Sequence, residues 1–336
     1  MRWLACAPGP AYSVQDVHNG WVAALRGAGE KVLDYPLGDW LCFLGEALLQ
    51  RSEHEFYRAL TDEQAIEAAA DRLCAALWKT RPDVLLLTSG FFLPPPLLDT
   101  TRRDGVKVVM LATEQPYERR EIDISAHCDL VLTTDPTTLA DFQCAAVHQP
   151  HSYRPTVHTP GPVIPELAAD FAFVGTGYQS RIEFFEAMDL VGLDVLLAGN
   201  WKQLAEDSPL RSYVAGGLED CLDNTKTVDV YRSAKVGINF YRREADDGTP
   251  RGVAVGIREV EAAACGSFFL RDPRPEGDEL FPSLPVFTSP DEASDQLRWF
   301  IAHPSEREKA ALKAREAIQD RTYDNAAARL LGLLSS

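Results

Sequence analysis

The sequence predicts an α/β protein built as two doubly wound parallel-sheet domains facing a cleft. Three observations lead there. Short β-branched or Leu-rich runs of strand length alternate with helical stretches along the whole chain. The rhythm breaks once, at a segment with five prolines in the sixteen residues 150–165, and then restarts. Parallel neighbours also require a crossover connection, so each buried strand followed by a helix reads as one repeating unit.

In the first half, strands are expected over 3–7, 31–35, 84–88, 107–112 and 130–134. Helices with apolar residues every three to four positions are expected over 17–26, 62–79 and 137–145. The Pro-rich segment contains Pro150, Pro155, Pro160, Pro162 and Pro165, and belongs to neither a helix nor a central strand. It is expected to be a hinge over 151–168, after a first domain at 1–150. Beyond it, strands are expected over 171–175, 195–199, 236–241, 267–271 and 286–289, with helices over 181–190, 227–234, 257–264 and 290–302. This second domain is taken as 169–318. A long helix over 306–334 closes the chain, and its end, 319–336, is expected to pack across both domains. Two such domains leave a cleft at the carboxyl ends of their strands, where open α/β sheets bind ligands.

The chain has 336 residues, 46% of them hydrophobic, enough for two domains that each bury a core. Its 33 basic residues against 50 acidic ones give a net charge of −17, which disfavours nucleic acid as a partner, since that affinity rests on neutralising phosphates with Lys and Arg. No apolar run approaches the ~20 residues of a membrane span. Residues 1–7 are too short for a signal-peptide core before Pro8-Gly9-Pro10, so a cytoplasmic location is expected. The seven cysteines are scattered and never spaced C-x-x-C, which reads as reduced thiols.

Several catalytic signatures are missing. The chain has no G-x-x-x-x-G-K-[ST], no G-x-S-x-G and no H-E-x-x-H. The nearest Gly-rich loop is Gly175-Thr176-Gly177-Tyr178-Gln179-Ser180, directly after a strand and opening a helix. Ser180 replaces the third glycine of a dinucleotide fingerprint, and the next strand ends Ala198-Gly199-Asn200 without the acid that grips a ribose. Such a loop either presents backbone N–H groups to a phosphate, with Arg181 as an added cation, or is a tight turn that binds nothing. A second constellation runs from Gly256 to Leu270. A helix of small residues ends at Gly266 and leads into an apolar strand, with Arg258 and Glu261 three apart on one face. That spacing suits an intrahelical ion pair and equally a carboxylate accepting two ribose hydroxyls.

Arg258-x-x-Glu261-Ala262-x-Ala264-Cys265-Gly266, followed by a strand, Asp272-Pro273 and Asp278-Glu279-Leu280-Phe281, resembles the nucleotide-sugar domain of GT-B glycosyltransferases. The likeness is to the family related to spore maturation protein CgeB. Phe173 to Gly177 resembles the opening strand and loop of that domain, and Pro150-His151 with Pro155 its interdomain segment. Pro290 to Ala293, His303 to Arg307 and Arg321-Thr322-Tyr323 resemble its closing helices. The resemblance covers most of 148–336 and is looser in the first half. The chain also resembles glycosyltransferases encoded by bacteriophages of actinobacteria.

The resemblance implies two Rossmann-like domains and transfer of a sugar from a nucleoside diphosphate sugar to a protein, glycan or small-molecule acceptor. No cofactor beyond that donor substrate is implied. Glu261 would bind the ribose, Arg258 would orient it or the diphosphate, and Gly175, Thr176 and Gly177 with Arg181 would face the diphosphate. Related retaining enzymes often carry a second glutamate eight residues before the ribose glutamate; here that position is Val253.

An inverting transfer needs a general base near the acceptor hydroxyl. Asp16 and His18, which follow the first strand, and Glu114, which follows another, are eligible. Ser13 and Asp16 also suit a helix start as capping residues. His148, His151 and His158 gather near the hinge but lack a helix to fix a metal geometry, so no metal is assigned. GT-B enzymes typically stabilise the leaving diphosphate with cations and helix dipoles, for which Arg181, Arg242 and Arg258 are candidates. An epimerase or hydrolase of nucleotide sugars, or a non-catalytic sugar-nucleotide-binding protein, would keep the same donor pocket.

Overall fold

The computed structural model describes residues 1–10, 14–49, 60–113, 119–218, 224–243 and 252–335. The chain forms two compact units. One comprises Met1–Pro150 with Tyr323–Ser336, the other His151–Thr322.

The first unit alternates strand and helix. Its elements are β1 (Arg2–Cys6), α1 (Gln15–Gly27), β2 (Lys31–Tyr35), α2 (Leu37–Leu49), α3 (Asp62–Thr80), β3 (Val84–Thr88), α4 (Pro95–Arg103), β4 (Lys107–Ala112), α5 (Arg119–Ser125), β5 (Leu130–Thr133) and β6 (Ala145–His148). All six strands are parallel, in the order β2-β1-β3-β4-β5-β6. The order reverses direction between β1 and β3. The central strand β3, Val-Leu-Leu-Leu-Thr, is buried along its whole length, as a strand covered on both faces must be. Helix α3 starts at a reciprocal cap: Thr61 Oγ1 accepts the Gln64 N–H at 3.3 Å while Gln64 Oε1 accepts the Thr61 N–H at 3.0 Å.

The expected helix over 137–145 is instead a single 3₁₀ turn at Pro136–Thr138, and the chain then enters β6. Asp135 explains the turn. Its carboxylate accepts from the Thr137 N–H at 2.9 Å and from the Thr137 hydroxyl at 2.6 Å, capping one turn and no more.

The second unit runs β7 (Ala169–Val174), α6 (Gln179–Ala187), β8 (Val195–Ala198), α7 (Asn224–Ser233), β9 (Ala234–Asn239), α8 (Ile257–Ala264), β10 (Phe269–Arg271), α9 (Pro275–Leu280), α10 (Pro290–Ala302) and α11 (Pro304–Ala317). Its parallel sheet has four strands in the order β10-β9-β7-β8. The fifth expected strand contributes only one bridge, between Arg271 and Val286. On one sheet face Phe171 and Phe173 pack with Phe185 and Trp201 in a fully buried aromatic cluster. The other face, under α7, is lined by small residues such as Ala172 and Ala198.

The Pro-rich stretch packs against this second unit. Arg232 of α7 donates to the carbonyls of Thr159 at 2.7 Å and Val157 at 3.1 Å, and Ile164 N–H donates to Ser233 Oγ at 2.9 Å.

The closing helical region is two helices, not one. α11 ends at Ala317, buried Ile318 and Arg321 form a turn, and α12 (Tyr323–Ser335) follows. The turn is held because Arg321 O accepts the Tyr153 N–H at 2.9 Å. α12 belongs to the first unit and lies on α1. Tyr323 meets Trp21 edge-on, with ring centroids 6.1 Å apart, and approaches Gly20 so closely that a Cβ there would lie 2.3 Å from the ring. No helix among the described residues is long and apolar enough to cross a membrane.

Candidate functional site

In the second unit the strand order reverses between β7 and β9, and ligands of open α/β sheets bind outside the carboxyl ends of strands at such a point. Arg258, in the first turn of α8, spans it. Its guanidinium lies 5.1 Å above the Phe173 ring of β7, and Nη1 donates to Oδ1 of Asn239, the last residue of β9, at 2.9 Å. Gly175 makes room for this arginine. Its φ is +153°, and a Cβ there would lie 2.6 Å from Arg258 Nη2.

The Gly175–Gly177 loop is already committed in part. Gly175 N–H donates to Ala198 O and Gly177 N–H to Asn200 O, both at 2.8 Å, so these two groups tie the loop to the end of β8. Arg181 is buried, and donates from Nε to Phe240 O at 3.1 Å and from Nη1 to Thr176 O at 2.9 Å. It braces the loop against the end of β9. Arg242 is exposed, with its guanidinium 4.8 Å over the Tyr178 ring at the start of α6. Loop, Arg242 and Arg258 thus gather at the carboxyl end of one sheet, with Arg258 the best fixed of the cations.

The start of α8 is built on a buried carboxylate. Glu259 Oε2 accepts the Gly256 N–H at 2.7 Å and the hydroxyl of Tyr241, whose oxygen also accepts from Gly256 N–H at 3.2 Å. The third helical residue thereby reaches back to its own N-terminus, as in a capping box. Burial pushes the Glu259 carboxyl up to about 7, against the lowering effect of the Tyr241 and Gly256 hydrogen bonds and of Arg271 and Arg258. Burial, with Glu259 adding to it, also raises Tyr241 well above the ordinary tyrosine range.

Glu259 Oε1 is buried without a hydrogen-bond partner, as is Nδ2 of Asn239. Both residues line one small pocket together with Arg258 and the small residues Ala172, Gly237 and Ala262. One unpaired donor and one unpaired acceptor beside a cation are polar groups that a ligand or a water can satisfy.

Glu261, one turn along α8 from Arg258, is 8% exposed. His158 Nε2 lies 3.7 Å from Glu261 Oε1. The other ring nitrogen of His158 accepts the Arg154 N–H at 3.1 Å, which fixes the proton on the nitrogen facing the carboxylate. Burial, reinforced by Arg154 and Arg232, lowers His158 to about 4, so it is neutral at physiological pH.

In the first unit, Asp16 is buried in the first turn of α1, whose cap residue is Val14 without a side-chain bond. A carboxylate there interacts favourably with the helix dipole. His18 is buried, and both of its ring nitrogens have partners: Nδ1 meets Thr88 Oγ1 at 3.2 Å and Nε2 meets Asp34 Oδ1 at 2.9 Å. The His18 hydrogen bond holds the Asp34 carboxyl below its usual range, against partial burial. His18 therefore has no open nitrogen for an acceptor hydroxyl. Ser13 and Glu114 lie outside the described residues.

Sequence reading missed Asn239, Tyr241, Glu259 and Asp34. Glu259 had a signal, since a Glu three positions after a helix-opening Gly is a capping-box position. Asn239, Tyr241 and Asp34 sit at strand ends whose partners are distant in the chain.

Residues 181–332 match the family described as Glycosyl transferase-like. Spore protein CgeB of Bacillus subtilis (strain 168) is 22% identical over 267 residues, covering 74% of this chain and 82% of that protein. The solved structure of sucrose-phosphate synthase from Thermosynechococcus elongatus is similar with a TM-score of 0.66 at 13% identity, over 100% of this chain and 98% of that one. An α-glucosyltransferase in complex with UDP and a 13-mer DNA containing an HMU base is similar with a TM-score of 0.65 at 12% identity, over 100% of both chains. The fold is thus that of GT-B glycosyltransferases, and the resemblance to the CgeB-related family holds. Together these findings support a sugar transferase.

Proposed function

We propose that this chain transfers a sugar from a nucleoside diphosphate sugar to an acceptor hydroxyl, with the donor held at the carboxyl end of the β7–β9 sheet. The observation that carries this is Arg258. A guanidinium fixed on Phe173 and Asn239 at the strand-order reversal, in the first turn of α8, offers a cation and a helix N-terminus to the same anion. Glu261 on the same helix is the acceptor for the ribose hydroxyls.

In the reaction the bond from the anomeric carbon to the diphosphate oxygen breaks and a bond to the acceptor oxygen forms. The diphosphate leaves with the bonding electrons, stabilised by Arg258, Arg242 and the α8 dipole without a metal ion. The acceptor proton passes to a base or to the leaving diphosphate. Uridine is the first nucleoside to try, because one similar structure holds UDP. That structure also holds DNA, but the −17 charge of this chain favours a protein, glycan or small-molecule acceptor.

Both His18 nitrogens being engaged favours a second reading, an epimerase or hydrolase of nucleotide sugars, which needs no acceptor base in the first unit. Release of free UDP from a panel of UDP-sugars, with and without glycan, protein and oligonucleotide acceptors, separates the two. Acceptor-dependent release supports transfer, and equal release or C2 inversion without acceptor supports the second reading. Alanine variants of Asp16, His18 and Glu114 then test the base. Full turnover in all three would move a retaining or substrate-assisted route ahead.

A further inference from the structure

The segment Gly252-Val253-Ala254-Val255-Gly256 leads into α8 and carries no polar side chain, so its backbone groups must be satisfied from outside. Gly256 is held by Glu259 and Tyr241, and three further groups are met by α9 and the residue before it. Arg274 Nη1 donates to Gly252 O, with the guanidinium stacked 3.9 Å above the Tyr241 ring. Glu276 N–H donates to Val253 O at 3.0 Å, and Glu276 Oε2 accepts the Val255 N–H at 2.7 Å. The other carboxylate oxygen, Oε1, pairs with Arg321 Nη2 at 2.6 Å, in the turn after α11. Glu276 therefore grips the segment at two points and is itself gripped from the far end of the unit.

We propose that Glu276, held by Arg321, is a positioning residue of the donor site. It touches no donor atom. It fixes Val253 and Val255, and through them the placement of Gly256, Ile257 and Arg258 at the opening of α8. The proposal rests on the reading of the second unit as the donor domain. A segment with no polar side chain takes its shape from the bonds that other residues make to its backbone. The backbone bond to Glu276 N–H survives any side-chain change there, so side-chain variants isolate the Val255 contact and the Arg321 pair.

The experiment compares wild type with Glu276→Gln, Glu276→Ala and Arg321→Ala by amide hydrogen exchange over 253–258 and by steady-state kinetics, with UDP as the binding probe. In Glu276→Ala, the Val255 amide should exchange about tenfold faster or more, while the interior amides of α8 keep their protection. The KM for the sugar nucleotide should rise about tenfold with kcat within about threefold, because uniform binding is lost and the chemistry is not. Glu276→Gln keeps an acceptor for Val255 N–H and should recover most of the loss, and Arg321→Ala should fall between. Unchanged Val255 exchange and unchanged KM in a folded Glu276→Ala would overturn the proposal. So would a collapse of kcat at constant KM, which would put Glu276 in the chemistry. If wild type binds no nucleoside diphosphate, the donor reading fails, and the exchange contrast still decides whether Glu276 holds the segment.

Discussion

The Nε2 of His158 faces Oε1 of Glu261 at 3.7 Å, while Nδ1 of the same ring accepts the Arg154 N–H at 3.1 Å. A residue of the Pro-rich stretch thus presents a fixed N–H to the carboxylate proposed to hold the ribose. The contact is too long for a good hydrogen bond but close enough for the N–H dipole to bias that carboxylate's orientation.

Acid should loosen the fold through this histidine. Burial lowers His158 to about 4, below the ordinary 6.5, and does the same to His151 with help from Arg321. Between those values the unfolded chain binds more protons than the folded one, so stability rises with pH. Each histidine contributes fully above about 6.5, and its contribution falls away as pH drops toward 4. Urea unfolding at pH 7.5 and 5 should show His158→Gln losing less stability on acidification than wild type, by up to about 1.4 kcal/mol per pH unit. Parallel losses would mean that His158 takes up its proton in the folded state over the same pH range as in the unfolded chain.

Glu259 should act in the opposite sense. Its carboxyl is raised from 4.5 to about 7, so the folded state holds a proton that the unfolded chain has released. Its contribution is present below about 4.5 and is lost as pH rises to about 7. Glu259→Gln keeps an oxygen for the Gly256 N–H and removes the titration. The stability difference between variant and wild type should therefore shift in the variant's favour from pH 5 to pH 8. A pH-independent difference would place the Glu259 titration elsewhere.

Arg258→Lys should cost donor affinity although the charge is kept. A lysine cannot stack its planar group on Phe173 while donating to Asn239. Calorimetric titration with UDP should show about a tenfold loss or more. Equal affinity would mean that point charge alone suffices and that the stacked geometry is incidental.

Gly175→Ala should destabilise by about 1–3 kcal/mol, since its φ is +153° and the added methyl would meet Arg258 Nη2. Gly332→Ala in α12 meets nothing within 4 Å and should stabilise by about 0.5–1 kcal/mol. Chemical denaturation of both variants checks the pair. A neutral Gly175→Ala would show that the loop and the arginine can part without cost.

The alternation of strands and helices was legible because each buried strand is a continuous apolar run, as at β3 and β4. α8 was legible from its small residues, and its end from Gly266. β6 was not, because Ala-Ala-Val-His carries no strand bias until its neighbour β5 supplies a ladder. α4 was not among the expected helices; it begins at Pro95, and proline fits the first turn of a helix. Arg181 read as a diphosphate cation and is found bonded to two backbone carbonyls, a difference that depends on Phe240 lying 59 positions away. Glu276, Val255 and Arg321 were invisible as a group, since the pairs are 21 and 45 residues apart.

The donor site on α8 is tested most directly by thermal unfolding with UDP, GDP, dTDP, CDP and ADP, against NAD as control, in wild type and Glu261→Ala. A ligand at 100 times its Kd adds about 2.7 kcal/mol, which raises the Tm by several degrees in a chain of this size. Such a rise is expected with one nucleoside diphosphate in wild type, and its loss in a folded Glu261→Ala. No rise with any of them, a rise with NAD alone, or a rise that survives Glu261→Ala would contradict it.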